Sequence, residues 1–450
     1  MLIGSLAVAM KILWVKMGGL WPSTTGGRVR SLQTISELSR RHQVSVVTTH
    51  GPGDDPEGLA RQLSGCHRVL SLPYTPPKRR SAAFPAALAQ SWLTPFPVDL
   101  WKWRVPEVRE QVTALMRGGV DLCVADFLFA AMNVPMGGST PVVLFEHNVE
   151  YQIWQRLAAL ERRPWLRALF EIEWRKLRAR EAEACRQADL TIAVSEDDRH
   201  RLERIAPGIR AASIPTGVDT SYFVPEAAAE REAHLVFSGS MDWHPNEDAV
   251  VHFAESILPR IRAHVPGTTV TVVGRNPSGR LREVAERADI TVTGTVADVR
   301  PFIAEAAVYV VPLRAGGGTR LKIFEALAMA RPVVSTTVGA EGLGITPDRH
   351  YLAADDPGGF ADTVVRLLRD PDRRRRIGTA GRLLVETCYS WPTIGRVFEQ
   401  RCEEMVTQHA HPRRAADRRA HLSRGGSPRS RRARVVAGEH SEVGWSPHHP

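Results

Sequence analysis

Residues Val308 to Thr336 read VYVVPLRAGGGTRLKIFEALAMARPVVST, an order of residue types that leaves few ways to fold. A nearly continuous apolar run meets the breaker Arg314-Ala-Gly-Gly-Gly-Thr, and a helical pattern begins at about Arg320. This spacing predicts strand, loop and helix. Leu321, Phe324, Leu327 and Ala328 recur at the interval that turns one helix face to a sheet. Arg320, Lys322 and Glu325 are left for the loop end or the opposite face. The helix must stop before Pro332, where PVVST begins the next strand.

Such a loop has a chemical use. Glycines let backbone approach a ligand closely, and the first turn of a helix offers unpaired N–H groups to an anion. Arg320 and Lys322 add positive charge there. Glu325, one turn further in, suits sugar hydroxyls, because an ionised carboxylate only accepts hydrogen bonds. Phosphates beside hydroxyls suggest a nucleotide sugar. The same residues equally describe a tight strand-to-helix turn with solvated charges.

At 450 residues with 43% hydrophobic content, the chain has material for two α/β cores. No apolar run reaches the length of a membrane span. The opening MLIGSLAVAM is short and is followed by Lys11 and Lys16, so no cleaved signal is expected, and Met10 is an alternative start. Cys66, Cys123, Cys185, Cys388 and Cys402 are scattered without metal-ligand spacing, which fits a reducing cytoplasm and no structural zinc. Of the net charge of +10, the segment from His409 onward carries +6, from nine Arg against Asp417, Glu439 and Glu442. Its shortage of large apolar residues predicts a disordered basic tail over 409–450. Nucleic acid is not an expected partner.

The first half alternates strand and helix signals. KILWV, a glycine-rich loop, a helix over Arg28 to Arg41 and VSVV make a βαβ opening. Gly26 and Gly27 precede that helix, at the strand edge where open parallel sheets bind ligands. Later strands end on Asp126, on Glu146-His147-Asn148 and on Ser195-Glu196, which predicts polar groups gathered at one crevice. His147 is assigned a ligand-facing role there. Lys78 to Arg104 mixes basic residues, prolines and aromatics and is expected to be irregular and partly exposed. With the helix that opens near Arg162, it suits either an anionic lipid surface or an ordinary core edge.

The character changes over Gly217 to His234, and the α/β programme then restarts at HLVFSGS, followed by a helix from about Asn246 to Ala263. The expected domains are therefore 10–216 and 234–390, joined by a linker over 217–233 and followed by a C-terminal helix over 391–408.

The ordered motifs GGRV, FEHN, IPTGVDTSYF, LVFSGSMDWHPNEDAV, TVVG, VTGTVADVRPF, the opening stretch and a final YSW resemble group 1 (family 4) glycosyltransferases of the GT-B fold, nearest the exopolysaccharide branch. The resemblance runs from about Met10 to Met405 and implies two Rossmann-like, doubly wound α/β domains facing a cleft, 10–216 on the acceptor side and 234–390 for the nucleotide sugar, with the helix over 391–408 crossing back to the first. It implies transfer of a sugar from a nucleotide-diphosphate donor to a glycan or lipid-linked acceptor, with retention and without metal or other cofactor. It also implies a cytoplasmic place, peripheral on the inner face of the membrane. Glu325 then resembles the second glutamate of the E-x7-E motif, on the ribose. Gly316, Gly317, Gly318 and Thr319 line the sugar and diphosphate, and Thr295 and Val296 read the base. Gly26 and Gly27 meet the diphosphate, and His147 sits beside the transferred sugar. His147, Lys322 and Glu325 are the expected catalytic group.

The chain departs from the pattern twice. Gly317 stands where the first glutamate belongs, and Gly239-Ser-Met-Asp-Trp-His-Pro-Asn246 lacks the usual Arg and Lys. Arg320 and Lys322 are expected to supply that charge, with Ser240, Asn246 and backbone N–H groups making the remaining contacts. The alternatives are a nucleotide-sugar epimerase of the same architecture and a non-catalytic scaffold.

Overall fold

The computed structural model describes residues 9–424 except 78–80, 82, 162, 227–229 and 316–319. Residues through Val406 form one compact unit. Its first sheet contains β1 (Lys11–Lys16), β2 (Gln43–His50), β3 (Arg68–Pro73), β4 (Leu122–Asp126), β5 (Val142–Phe145), β6 (Leu190–Ala193) and β7 (Ala211–Ser213). The order is β3-β2-β1-β4-β5-β6-β7, and the strand pairs are parallel. The second sheet contains β8 (His234–Ser238), β9 (Thr269–Val273), β10 (Thr291–Val292), β11 (Val308–Val311), β12 (Val333–Ser335) and β13 (Leu352–Ala353). It repeats the plan as β10-β9-β8-β11-β12-β13, again parallel.

Parallel strands covered on both faces must be apolar on both faces, and β5 (VVLF) is buried throughout. In β1 the alternation is explicit. Leu13 and Val15 join the core on one side of the sheet, while Ile12 and Trp14 join the core on the other. Strand order reverses between β1 and β4 in the first sheet and between β8 and β11 in the second. Loops leaving the carboxyl ends of these four strands splay apart and leave a crevice, the usual ligand position in open α/β sheets.

The last helix, Trp391–Arg424, returns to the first sheet. Trp391, Ile394, Phe398, Cys402 and Met405 follow helical spacing and share a core with Ile12, Trp14 and Phe145. The Phe398 ring lies 5.6 Å from Trp14 and 5.2 Å from Phe145. Beside it Arg41 Nε donates to Glu399 Oε1 at 2.7 Å, and His42 Nε2 lies 2.9 Å from the same oxygen. His42, Glu399 and Glu403 are the one metal-like grouping among the described residues, and Glu399 is already engaged by these two neighbours.

Three elements differ from the expectation. Lys78 to Arg104 is not irregular, for it holds the helices Ala83–Trp92 and Val98–Trp101; its prolines fall at or before helix starts, where a missing N–H costs nothing. The helix expected over 246–263 is interrupted by a wider π turn, Phe253–Ile257, just before Pro259, which cannot donate to the preceding turn. Finally, residues 409–424 of the expected disordered tail are helical, in keeping with their Ala and Arg content. Residues 425–450 lie outside the described residues.

Candidate functional site

The first-domain wall is built where β1, β4 and β5 end. Asp126 closes β4 fully buried and accepts from Trp14 Nε1 at 2.8 Å. Lys16, the last residue of β1, brings its Nζ to 3.6 Å from Asp126 Oδ1, and His147 Nε2 lies 2.8 Å from the same oxygen. The histidine contact is close but poorly aligned, and neither ring nitrogen makes a well-directed hydrogen bond among the described residues. Burial pushes the Asp126 carboxyl up, but Lys16 and His147 outweigh that and bring it down to about 2. Burial lowers Lys16 to about 8 and His147 to about 3, so the imidazole is neutral at pH 7. His147 stacks on Phe127 at 3.8 Å, and Lys16 Nζ lies 3.5 Å from the centre of the same Phe127 ring.

Gly27 makes this packing possible. A Cβ there would come within 2.9 Å of Phe127 Cζ and 3.7 Å of His147 Nδ1. The helix Gly26–Ser39 therefore starts against the histidine, with its first N–H groups at the crevice and Thr25 accepting from Arg28 N. Arg28 ties down the preceding loop by donating to Gly18 O at 2.9 Å and pairing with Asp54 at 2.7 Å.

The second-domain wall carries Lys322 and Glu325 on the helix Leu321–Ala328, whose Ile323, Phe324, Ala326 and Leu327 are buried. Lys322 Nζ donates to Asn246 Oδ1 at 2.8 Å and lies 4.2 Å from the Phe237 ring centre. Asn246 Nδ2 in turn donates to Ser240 O at 2.8 Å. A Cβ on Gly239 would come within 2.6 Å of Lys322 Nζ, so glycine is what lets the lysine reach that place. Burial lowers Lys322 to about 7, with Glu325 opposing, and burial raises Glu325 to about 7, with Lys322 opposing. Both side chains keep partial exposure to the crevice.

The two walls meet. A Cβ on Gly26 would stand 3.3 Å from Leu321 Cδ1, so the two helix starts face each other across the cleft. Nearby, Gly342 lies with its Cβ position 3.5 Å from Ser195 Cβ, and Arg201 is 3.7 Å from Glu341.

Several assignments need correction or narrowing. Arg320 directs its guanidinium to Val338 O, donating at 3.0 Å, and lies 3.9 Å from Glu341, while its charge still acts on Lys322 and lowers it. It sits just before the helix, pointing to the segment after β12. Glu146 is buried at the back of the wall, where burial, then Glu181 and Glu150, push its carboxyl well up, so it is not a crevice group. Ser195 caps the helix Glu196–Ile205, accepting from Asp198 N, and Glu196 is taken by Ser213 and Arg199. Asn148 is half-buried and donates to Glu150 Oε1 at 3.4 Å. Thr295 is exposed and Val296 half-buried after β10, the latter packed against the core that holds Phe324. Gly316, Gly317, Gly318 and Thr319 lie outside the described residues.

Two cations escaped the sequence reading. Arg275, just past β9, donates from Nε to Ser240 Oγ at 2.7 Å and so brings positive charge to the loop that seemed to lack it. Lys16 was read only as an interruption of an apolar run. A local signal was available for Lys16, which closes β1 at its carboxyl end, but not for Arg275, which lies two residues past β9.

Residues 232–370 match the family model described as Glycosyl transferases group 1, and residues 24–222 match Glycosyltransferase Family 4. The chain is built from glycosyltransferase domains. Among solved structures, the sucrose-phosphate synthase of Thermosynechococcus elongatus superposes with a TM-score of 0.63 at 18% identity, over 89% of this chain and 100% of that one. Anabaena HepE in complex with UDP follows at 0.61 and 16%, over 88% and 100%. These likenesses show the fold of these glycosyltransferase domains as GT-B. A curated relative, the GDP-mannose-dependent monoacylated alpha-(1-6)-phosphatidylinositol monomannoside mannosyltransferase of Corynebacterium glutamicum, is 27% identical over 205 residues, 40% of this chain and 53% of that protein. The chain thus spans little more than half the length of the curated relatives it matches first.

Proposed function

We propose that this chain is a retaining glycosyltransferase that moves a sugar from a nucleotide-diphosphate donor to a lipid-linked acceptor in cell-surface or exopolysaccharide synthesis. The observation that carries the reading is the pair of helix starts facing one another at Gly26 and Leu321, with Lys322 and Glu325 on one side and His147 on the other. Unpaired N–H groups and a lysine suit a diphosphate, and a carboxylate one turn on suits a ribose. The relative's name supports both halves, a nucleotide-activated sugar and a phosphatidylinositol-based acceptor.

Breaking the bond from anomeric carbon to phosphate leaves negative charge on the diphosphate. Preorganised N–H groups, helix starts and Lys322 stabilise that charge as it develops. For retention the acceptor hydroxyl enters on the face the diphosphate leaves, passing its proton to a departing phosphate oxygen, so no protein base is required. Neutral His147 offers a donor or an acceptor to the sugar. No helix among the described residues is long and apolar enough to cross a membrane. The exposed Trp92, Leu93, Ile153, Trp165 and Ile172 lie in the first domain among arginines, which supports peripheral docking on anionic lipid.

The test is a thermal-shift panel of UDP-, GDP-, ADP- and dTDP-sugars on wild type and on Glu325→Ala and Lys322→Ala. One donor is expected to raise the melting temperature of wild type and to lose that effect in both variants. Undiminished shifts in both variants would remove the site. Release of an epimerised donor with no acceptor consumed would replace transfer with epimerisation.

A further inference from the structure

The first domain holds a chamber of about 970 Å³ that the donor site does not use. It is walled by the helices of the Lys78 to Arg104 stretch, by the start of the helix Pro106–Arg117 and by the far end of the helix Pro164–Gln187. Its lining includes Lys102, Arg104, Arg109 and Arg180 against a single carboxylate, Glu183. Lys102 is paired with Asp99 and Arg180 with Glu183. Among the described residues, Arg104 and Arg109 have no carboxylate within ion-pair distance, and Arg180 Nε is buried without an acceptor.

Arg104 is also held in place. Its guanidinium lies 4.7 Å from the Phe96 ring centre and 4.9 Å from that of Trp101, and Arg180 reaches Phe96 from 5.5 Å. Stacking fixes the plane of a guanidinium and leaves its N–H edge open for a ligand. Met132 and Met136 supply adaptable apolar surface alongside. One aromatic layer separates this chamber from the cleft. Tyr74 on its wall packs on Trp103 at 5.7 Å, and the Trp103 ring is 3.3 Å from the Cβ position of Gly18 in the loop after β1.

Two arginines without a carboxylate partner among the described residues, with Arg180 on the same lining beside aromatic and thioether surface, match a doubly charged oxyanion carried on a less polar body. We propose that this chamber binds a phosphate-bearing ligand, with Arg104, Arg109 and Arg180 on the phosphate. Phe96, Trp101 and the two methionines take the adjoining apolar part. The binding stands on the chamber alone; that the ligand is the sugar acceptor rests on the glycosyl-transfer reading.

Calorimetry on the full chain tests it with dihexanoyl phosphatidic acid below its micelle concentration, dihexanoyl phosphatidylcholine and glycerol 3-phosphate. Arg104→Ala/Arg109→Ala is compared with wild type, and Arg109→Glu alone serves if the double variant melts early. Phosphatidic acid is expected to bind wild type and to lose at least about tenfold in either variant, the loss of one charge-assisted hydrogen bond. If glycerol 3-phosphate binds as tightly, with the same sensitivity, the source is a soluble phosphate; if it does not, the source is a lipid. Binding equal in variant and wild type, or no binding of either phosphate, overturns the proposal. The nucleotide-sugar thermal shift on the same preparations separates the two readings. A donor shift without phosphate binding removes only the chamber, while phosphate binding without a donor shift removes only the transferase.

Discussion

The pair Lys322 and Glu325 predicts how donor affinity responds to pH. Burial leaves the free lysine at about 7 and the free carboxyl at about 7, whereas gripping a diphosphate and a ribose needs the lysine charged and the glutamate ionised. Above neutrality, binding must re-protonate Lys322. With a lysine at about 7 that remains charged in the complex, the dissociation constant rises roughly 50-fold between about pH 7 and about pH 9. Below neutrality, binding must ionise Glu325, and affinity falls by a similar factor towards about pH 5. Affinity is therefore bell-shaped with its maximum near pH 7, and the apparent values belong to the pair because the two groups interact. Titration calorimetry with the donor chosen by the thermal-shift panel, from pH 5 to pH 9, measures it. Lys322→Met should remove the alkaline limb and Glu325→Gln the acid limb, each at a lower maximum. A flat wild-type profile would refute the reasoning. Stability of the unliganded protein runs the other way. The raised Glu325 value contributes stability that is present below the ordinary carboxyl range and lost as pH rises to about 7. The lowered Lys322 value contributes stability that is present above the ordinary lysine range and lost as pH falls to about 7. The site is least comfortable empty at the pH where it binds best.

Three further outcomes follow from the packing. Gly274→Ala places a Cβ 1.7 Å from the Gly239 carbonyl oxygen, so backbone must shift, and unfolding in urea should show a loss of about 3 kcal/mol together with weakened donor binding. Asp126→Asn keeps an acceptor for Trp14 but leaves Lys16 buried without its counter-charge, a loss of about 3 kcal/mol; an unchanged urea midpoint would contradict the ion-pair account. Phe398→Ala empties a fully buried site between Trp14 and Phe145 and should cost about 3 to 5 kcal/mol by the same measurement; a loss well under about 1 kcal/mol would mean the last helix does not hold the first domain.

The fold was legible because parallel sheets buried on both faces leave uninterrupted apolar runs, and β1, β4, β5 and β11 announce themselves that way. The loop-to-helix junction at Arg320 was legible for the same reason, since glycines and a proline bracket an apolar stripe. What could not be read was direction. Arg320 and Lys322 are two residues apart, and on a helix that spacing sends side chains to different sides, one to Asn246 and the other to Val338. Arg275 and Ser240 come together only because β8 and β9 are neighbours in the sheet, a long-range fact with no local signature. The same reasoning explains why Glu146 and His147 part company. Adjacent residues leaving a strand face opposite ways, so the Glu146 carboxyl is buried near Glu181 and Glu150 while the imidazole is buried against Asp126 and Phe127. A loop's composition thus states what chemistry is available, but only strand order and side-chain direction state which of those groups can meet a single ligand.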